Sequence, residues 1–545
     1  MTSPSERPAW LLWLAWLTLL AGVAYLSRPA LPIDETRYLA VAWEMWQRGD
    51  FLVPFKNGET YSHKPPLLFW LIHAGWWLAG VNEWWPRFIM PLLTLVSAWM
   101  TWRLARRLWP QAPQTAQLAP LVLLSSFLWL LYSQALMFDV LIAACALIGL
   151  NALVEAALCE HPAGRRRWWA LFGLSIGLGV LAKGPAILVH LLPAALLAPW
   201  WARHCSPGIT WPRWYAGVGL GLLLGVALAL AWAIPAGQQG GEAYRNAIFW
   251  GQTADRMVES FAHRRPVWWY LAALPVFLFP WLFWPRLIAA LAKTLRADSR
   301  DVGVRFSLVW FGVALLIFSF ISGKQPHYLL PEFPAAALLI AHAWSRRPPA
   351  GRPWLPALTL LLLGAGLIAV ALSANLQARL DWPAAIPVWA GLPFVGAGLI
   401  AGSTLGAAPQ RLAAAMLLAI LGMLFALFRP LAPAYDTHAI GQALAQQQAL
   451  GRPTAHEGKY HAQFHFSGRL KQPLIIVGAH QIPDWLEQHP DGVAVIYFSD
   501  RVDFTPYQPL IARPFRGSFA LLVDHRAAAA LRKKPLIAPA DGAED

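Results

Sequence analysis

Charge is scarce in this chain. Only 13% of its residues are Asp, Glu, Lys or Arg, against 57% apolar residues, and 28 acids face 43 lysines and arginines. A water-soluble protein of 545 residues needs far more charged surface, so a soluble globule is excluded. Cysteine is scarcer still. Cys145, Cys159 and Cys205 are the whole supply, and none falls in a segment read below as lying outside the bilayer. That excludes a disulfide framework and a thiolate metal cluster. No Walker A or dinucleotide-binding glycine pattern is present, and no repeat of the soluble type. The net charge of +15 is not a nucleic-acid footprint, because no basic patch is interleaved with exposed aromatics.

What the chain does have is hydrophobic length. Apolar runs of about 18 to 22 residues recur, long enough to cross a hydrocarbon core of ~30 Å. They lie near 10–27, 87–103, 115–133, 138–157, 168–182, 185–201, 214–235, 267–291, 306–322, 328–344, 354–373, 384–406 and 411–428, about thirteen crossings. The first is rich in tryptophan and lacks a small-residue cleavage site before Pro29, so it reads as a span and not as a signal peptide. Arg103, Arg106, Arg107, Arg165–Arg167, Arg203, Arg213, the stretch from Arg286 to Arg305, Arg346, Arg347, Arg352 and Arg411 fall at every second turn. By the positive-inside rule these loops face the cytoplasm, as does the N-terminus.

The expected fold is therefore an α-helical polytopic membrane protein with a small C-terminal α/β domain outside the membrane. Residues 1–430 form the transmembrane part. Within it, 28–86 is an outer loop with two short amphipathic helices, one from Asp34 to Gly49 and one from Pro65 to about Gly80, and 236–266 is a second outer loop. Residues 431–545 form the outer domain, with a helical start at Ala439–Leu450, strand-like runs at 474–477, 493–498 and 519–523, and a loose tail. The 32 tryptophans read mostly as interface belts.

Three lysines stand just ahead of a proline that opens an apolar run: Lys64-Pro65, Lys183-Gly184-Pro185 and Lys324-Gln325-Pro326. Proline suits the first turn of a helix, where free N–H groups point outward. An ammonium beside such an end favours an anion such as phosphate. All three lysines fall on the outer face. Snorkelling to the interface is the plain alternative for each.

Other ionisable residues sit on the same face. Asp34 precedes a helix, and it is either an N-cap or a general base beside a reacting hydroxyl. Glu35 favours the helix dipole. Arg37, three residues on, either shares the helix start or contacts headgroups. Asp139 opens an apolar span, where an ionisable group is costly unless used or capped. Within 236–266, Arg256 is the one candidate and the remaining charge reads as a solvated face. His456, His461 and His465 follow no standard ligand spacing and read as ordinary polar surface.

Several runs carry a family resemblance. Pro32-Ile33-Asp34-Glu35-Thr36-Arg37-Tyr38, Gly49-Asp50-Phe51-Leu52-Val53-Pro54 and His63-Lys64-Pro65-Pro66-Leu67 resemble the first outer loop of the protein O-mannosyltransferase superfamily. Gly177–Gly184, Pro266–Tyr270 with Pro280-Trp281, and Ser322–Pro331 extend the likeness over nearly the whole chain. Within the superfamily it is most similar to bacterial lipid A 4-amino-4-deoxy-L-arabinose transferases. The resemblance implies a GT-C glycosyltransferase of the bacterial inner membrane, with a periplasmic C-terminal domain and a polyprenyl-phosphate sugar as donor. It implies a catalytic base at Asp34, a second acidic position at Asp139, and donor-phosphate contacts from Arg37, Lys64 and Tyr328. Lys324 and Arg256 are further candidates for that phosphate, and Glu35, Lys183 and His63 are possible site residues.

Two departures from the arabinose transferases stand out. Where they carry glutamate before the Lys-Pro pair, this chain has His63. Where they carry Glu-His after Phe-Trp in the large outer loop, Phe249-Trp250-Gly251 is followed by Gln252-Thr253. That glutamate and histidine are metal ligands in the family, so no metal or other cofactor is expected here. The expected acceptor is lipid A or another envelope glycolipid, with membrane lipids as surroundings and no nucleic acid. Competing readings are a protein O-mannosyltransferase-like enzyme with another sugar and a protein acceptor, and a flippase or transporter of a lipid-linked anion.

Overall fold

The computed structural model describes residues 10–203, 205, 210–251, 264–379, 385–499 and 503–533. Among these, seven helical runs are long and apolar enough to cross a membrane. The chain begins with Trp10–Ser27 (α1), then leaves the bundle for Asp34–Arg48 (α2) and Leu67–Ala79 (α3). Between them lies a two-stranded hairpin of Phe55–Lys56 (β1) and Glu59–Thr60 (β2). Trp84–Leu108 (α4), Phe138–Leu158 (α5), Pro162–Lys183 (α6) and Ile187–Leu196 (α7) follow. The most apolar 18-residue window of α5 is 94% buried, so this helix is the axis on which its neighbours pack.

Local chemistry sets the breaks. α2 stops at Gly49, whose φ of +67° is open to glycine at little cost. The chain reverses at Lys183-Gly184, where Gly184 has φ +70° and Pro185 cannot continue the ladder. The reversal is visible in the packing. A Cβ on Gly149 of α5 would meet both Ser175 of α6 and Leu191 of α7. Trp214 packs against the Trp169 ring and donates its indole N–H to Ala195 O at 2.9 Å. Lys183 therefore sits at the tip of a helical hairpin.

Several expected spans are interrupted. The run near 115–133 is two helices, Pro113–Ser125 and Phe127–Tyr132, parted by Ser126 in extended conformation. The run near 267–291 breaks into Trp269–Phe277, the turn Trp281–Phe283 and Pro285–Ala297, where Pro280 and Pro285 remove backbone donors. The run near 328–344 opens as a 3₁₀ turn, Pro326–Glu332, before the helix Phe333–Arg346.

The two ends of the bundle differ in chemistry. At one end Arg103 and Arg107 reach Glu155 at 2.9 and 2.8 Å, Trp109 donates to Asp301, and Arg347 donates to Thr294. The loop after α1, the 134–139 turn, the Lys183 tip and the 325–328 turn gather at the other. Arg28 and Glu35 form a buried ion pair there that ties two of these segments together. Arg28 also donates to Gln134 O at 2.9 Å, and Glu35 accepts from Leu136 N and Leu31 N, each at 2.7 Å.

The C-terminal part carries a five-stranded sheet of Thr454–Glu457 (β3), Ile475–Val477 (β4), Val493–Phe498 (β5), Ile511–Phe515 (β6) and Ser518–Asp524 (β7), in the order β4-β3-β5-β7-β6. β3 lies parallel to β4 and β5, while β7 is antiparallel to β5 and β6. β4, β5 and β7 fall on the runs read as strand-like. β3 and β6 escaped that reading: β3 is polar in sequence yet wholly buried, and β6 is an edge strand interrupted by Pro514.

This unit packs directly on α2. Trp43 donates to Leu470 O at 2.8 Å, Asn57 exchanges two bonds with the Leu474 backbone, and Trp76 stacks on Phe466. α2 is thus enclosed between bundle and sheet, and does not lie open as an interfacial helix. The histidines expected on polar surface are inside as well. His456, His461 and His465 are all buried. His456 and His465 bond to the hydroxyls of Tyr497 and Tyr460 at 2.9 and 2.8 Å.

Candidate active site

Phe138 organises the approach to the site. Its ring meets Tyr38 of α2 edge-on at 4.9 Å and Phe69 of α3 at 5.8 Å, so both outer helices converge on the first turn of α5. The next residue, Asp139, is directed into that junction.

Asp34 is the first residue of α2, but it does not cap it. The N-cap position is Ile33 and no side chain bonds there. The Asp34 carboxylate instead pairs with Arg37, one turn along the same face, and accepts from Tyr38 Oη at 3.2 Å. The Asp34 side chain is 45% exposed, so it is reachable by a ligand. Burial works against the Arg37 charge, but Tyr61, Tyr38 and Asp34 outweigh it and raise its pKa above the usual value.

Asp139 is the opposite case. Its side chain is 4% exposed and takes Lys183 Nζ at 2.5 Å, with His327 Nε2 at 3.9 Å from its other oxygen. The capping and snorkelling alternatives for these two residues give way to a buried ion pair between two helix ends. Lys183 Nζ also lies 4.8 Å from the Tyr328 ring centroid, and His327 Nδ1 is 3.3 Å from Tyr132 Oη. Tyr328 therefore stands at the edge of this pair, supported by Phe318.

Lys64 joins the two halves. It is half-buried just ahead of α3, and the charges that act on it are Lys183, Arg37, Asp139 and Asp34. Burial first, then Lys183 and Arg37, push its pKa down to about 8. Arg37 and Lys183 each already hold an aspartate, and a phosphate brought beside Lys64 would add a further counter-charge to the group.

The remaining candidates are placed differently. Glu35 is consumed by the Arg28 pair and the two backbone donors described above. Burial raises its pKa, and Arg28 lowers it by more, leaving it below the ordinary carboxylate range. His63 is exposed and stacks on Tyr61 at 5.4 Å. Lys324 is buried with its ammonium on two carbonyls, Ile321 O at 2.5 Å and Arg265 O at 3.0 Å. Arg256 lies outside the described residues, as do Gln252 and Thr253. Among the described residues no three His, Cys, Asp or Glu side chains converge as metal ligands.

The helical membrane bundle, with Asp34, Asp139, Arg37, Lys64 and Lys183 gathered at one end, has the GT-C fold of the solved structure described below. A family model for dolichyl-phosphate-mannose-protein mannosyltransferases matches residues 63–232. The undecaprenyl phosphate-α-4-amino-4-deoxy-L-arabinose arabinosyl transferase of Pseudomonas aeruginosa (strain UCBPP-PA14) is 32% identical over 434 residues, covering 76% of this chain and 74% of that protein. The enzyme of the same name from Edwardsiella ictaluri is 30% identical over 309 residues, and the chain spans 54% of its length. The fold matches the crystal structure of ArnT from Cupriavidus metallidurans bound to undecaprenyl phosphate with a TM-score of 0.69, at 21% identity, over 94% of this chain and 97% of that one. The chain belongs to the family of undecaprenyl phosphate-aminoarabinose arabinosyl transferases.

Proposed function

We propose that this protein transfers a sugar from undecaprenyl phosphate, or a closely similar polyprenyl phosphate, to a cell-envelope acceptor such as lipid A. The observation that carries this reading is the set of Arg37, Lys64 and Lys183 around the two aspartates Asp34 and Asp139, one of them exposed and one sealed. The names of the relatives and the undecaprenyl phosphate bound by the Cupriavidus protein support the donor class.

The placement of Asp34, Arg37 and Lys64 supports the following division of roles. The donor phosphate sits between Lys64 and Arg37, with the Tyr328 hydroxyl at its edge. As the glycosidic C–O bond breaks, its electron pair goes to a phosphate oxygen, and the fixed cations stabilise the charge that builds there. The acceptor oxygen forms the new bond to the anomeric carbon, and its proton passes to the Asp34 carboxylate. Arg37 links the two events. In the free protein it neutralises Asp34, and a donor phosphate that draws Arg37 away leaves that carboxylate able to accept a proton. Asp139 stays within its pair and holds Lys183 toward the pocket. Lys324 braces the 321–325 turn.

Residues 1–430 would form the catalytic membrane domain, crossing about thirteen times. Its basic end would face the cytoplasm and its pocket the periplasm. Residues 431–545 would form a periplasmic domain over the pocket. Radiolabelled sugar on undecaprenyl phosphate, incubated with purified wild type, Asp34→Asn and Lys64→Ala, tests the assignment. Transfer by wild type alone supports it. Equal transfer by all three, or lipid flux without transfer, refutes it. Thiol-reactive probes that place positions 64 and 183 on opposite sides of the bilayer would also break the shared site.

A further inference from the structure

The segments that carry Lys183 and Tyr328 are joined a second time, away from the two aspartates. Lys183 ends α6, α7 starts at Ile187, and Tyr328 sits in the 3₁₀ turn Pro326–Glu332. His190, in the first turn of α7, and Glu332, the last residue of the 3₁₀ turn, lie 2.5 Å apart from Nδ1 to Oε1, with both side chains buried. Phe318 touches both parts of the arrangement. Its ring centroid is 5.5 Å from that of His190 and 6.2 Å from that of Tyr328.

The 3₁₀ turn is poorly equipped to hold its own shape. It runs for 7 residues, where 3₁₀ stretches beyond about four are uncommon. Pro326 and Pro331 take two backbone donors out of it. It is held from outside instead. Tyr270 Oη donates to Gln325 O at 2.9 Å just ahead of it, and His190 closes on its last residue. The His327 contacts between them are longer, 3.3 Å to Tyr132 and 3.9 Å to Asp139, so the tight anchors are those at the two ends.

His190 and Glu332 both fall in runs read as membrane spans, where a polar pair is costly. Glu332 Oε2 adds to that cost, being buried without a hydrogen-bond partner. Apolar side chains would pack α7 on the turn without either penalty. What they lack is direction. A short hydrogen bond fixes the rotation and depth of the turn, and with them the place of Tyr328.

We propose that His190 and Glu332 are positioning residues for the donor: their bond locks the Pro326–Glu332 turn so that the Tyr328 hydroxyl is held against the donor phosphate. The proposal rests on the transferase reading for the identity of that phosphate. It adds that a pair touching neither sugar nor phosphate sets donor affinity through Tyr328.

The test uses the full chain in phosphatidylcholine nanodiscs. Affinity for undecaprenyl phosphate is measured for wild type, Tyr328→Phe, the apolar pair His190→Leu/Glu332→Met, and the triple variant. Replacing both polar partners at once strands no lone charge, and thermal unfolding checks that the fold is kept. Tyr328→Phe and the apolar pair are each expected to bind about tenfold more weakly, and the triple variant within about twofold of Tyr328→Phe alone, because groups that act through one another are not additive. An apolar pair that binds like wild type overturns the proposal. So do losses that multiply in the triple variant, which would give the pair a general structural role. A fluorine label on the Tyr328 ring supplies a readout without donor: one resonance in wild type, and a split or broadened one in the apolar pair. An unchanged resonance also overturns the proposal. Wild type that binds no undecaprenyl phosphate, while the label still responds to the apolar pair, sinks the transferase reading and leaves the anchored turn standing.

Discussion

Lys183 and Asp139 meet at 2.5 Å, although 44 residues separate them in sequence. The pair joins the first turn of α5 to the tip of the α6–α7 hairpin, and both side chains are largely withdrawn from solvent. Removing one partner of such a pair strands a charge, at a cost of about 3–5 kcal/mol, whereas replacing both by apolar residues is often neutral. Asp139→Asn and Lys183→Met are each expected to lower the unfolding temperature in detergent. The Asp139→Leu/Lys183→Met double variant is expected to recover most of that loss without recovering transfer. A double variant less stable than either single one would show that the pair is not the anchor described here.

Asp34 and Glu35 are neighbours in opposite surroundings, one exposed and one buried, and the roles proposed for them are separable by experiment. Asp34→Asn removes the exposed carboxylate and is expected to slow transfer by about 10²- to 10⁴-fold with stability unchanged. Glu35→Gln leaves Arg28 buried without its counter-charge, and is expected to cost about 3–5 kcal/mol of stability. Transfer per folded molecule should survive that change. Melting curves and single-turnover assays on the same preparations check both outcomes.

If Lys64 holds the donor phosphate as proposed, donor binding is sensitive to pH. With a pKa near 8, it is cationic below that value and loses its charge as pH rises through it. Affinity for undecaprenyl phosphate should therefore fall between about pH 7 and 9, and Lys64→Arg should flatten the profile because guanidinium stays charged. The stability effect has the opposite sign. The folded state holds the proton less tightly than the unfolded chain, so this group disfavours folding below 8, and the penalty disappears as pH rises toward 10.5. Binding isotherms across that range, for wild type and Lys64→Arg, decide the matter.

His438 clips the sheet unit to the bundle. Its Nδ1 lies 2.6 Å from Asp436, and its Nε2 lies 3.2 Å from Glu83 at the start of α4. Asp436 first, then Glu83, raise its pKa from 6.5 to about 10. A raised pKa means the stabilisation is complete below 6.5 and is lost as pH rises through 10. The difference in melting temperature between wild type and His438→Gln should shrink across that window. A difference that stays constant with pH would assign the effect to packing and not to charge.

The apolar runs and the alternation of basic loops were legible because length and charge sign are properties of sequence alone. The pairing of Asp34 with Arg37 was not drawn from the sequence, although a spacing of three residues on a helix puts both on one face. The Lys183–Asp139 pair was not legible, because neither residue has an opposite charge nearby in the chain. The same blindness hid the role of Glu35, whose partners Arg28 and Leu136 are set by how two loops dock. His456 and its neighbours misled for a related reason. Polar residues in a short strand read as surface until a second layer, here the Tyr497 and Tyr460 hydroxyls, is known to cover them.

Trp43 bonds to Leu470, 427 positions further along the chain, and Asn57 bonds to Leu474, 417 positions further along. The helix that bears Asp34, the base proposed above, is thus fastened to a segment made 427 residues later by the ribosome. A nascent chain halted before residue 470 would already be threaded through the bilayer, yet it would lack the brace that fixes Asp34. Competence for sugar transfer would then switch on late in biosynthesis, and C-terminal truncations would yield inserted but silent protein.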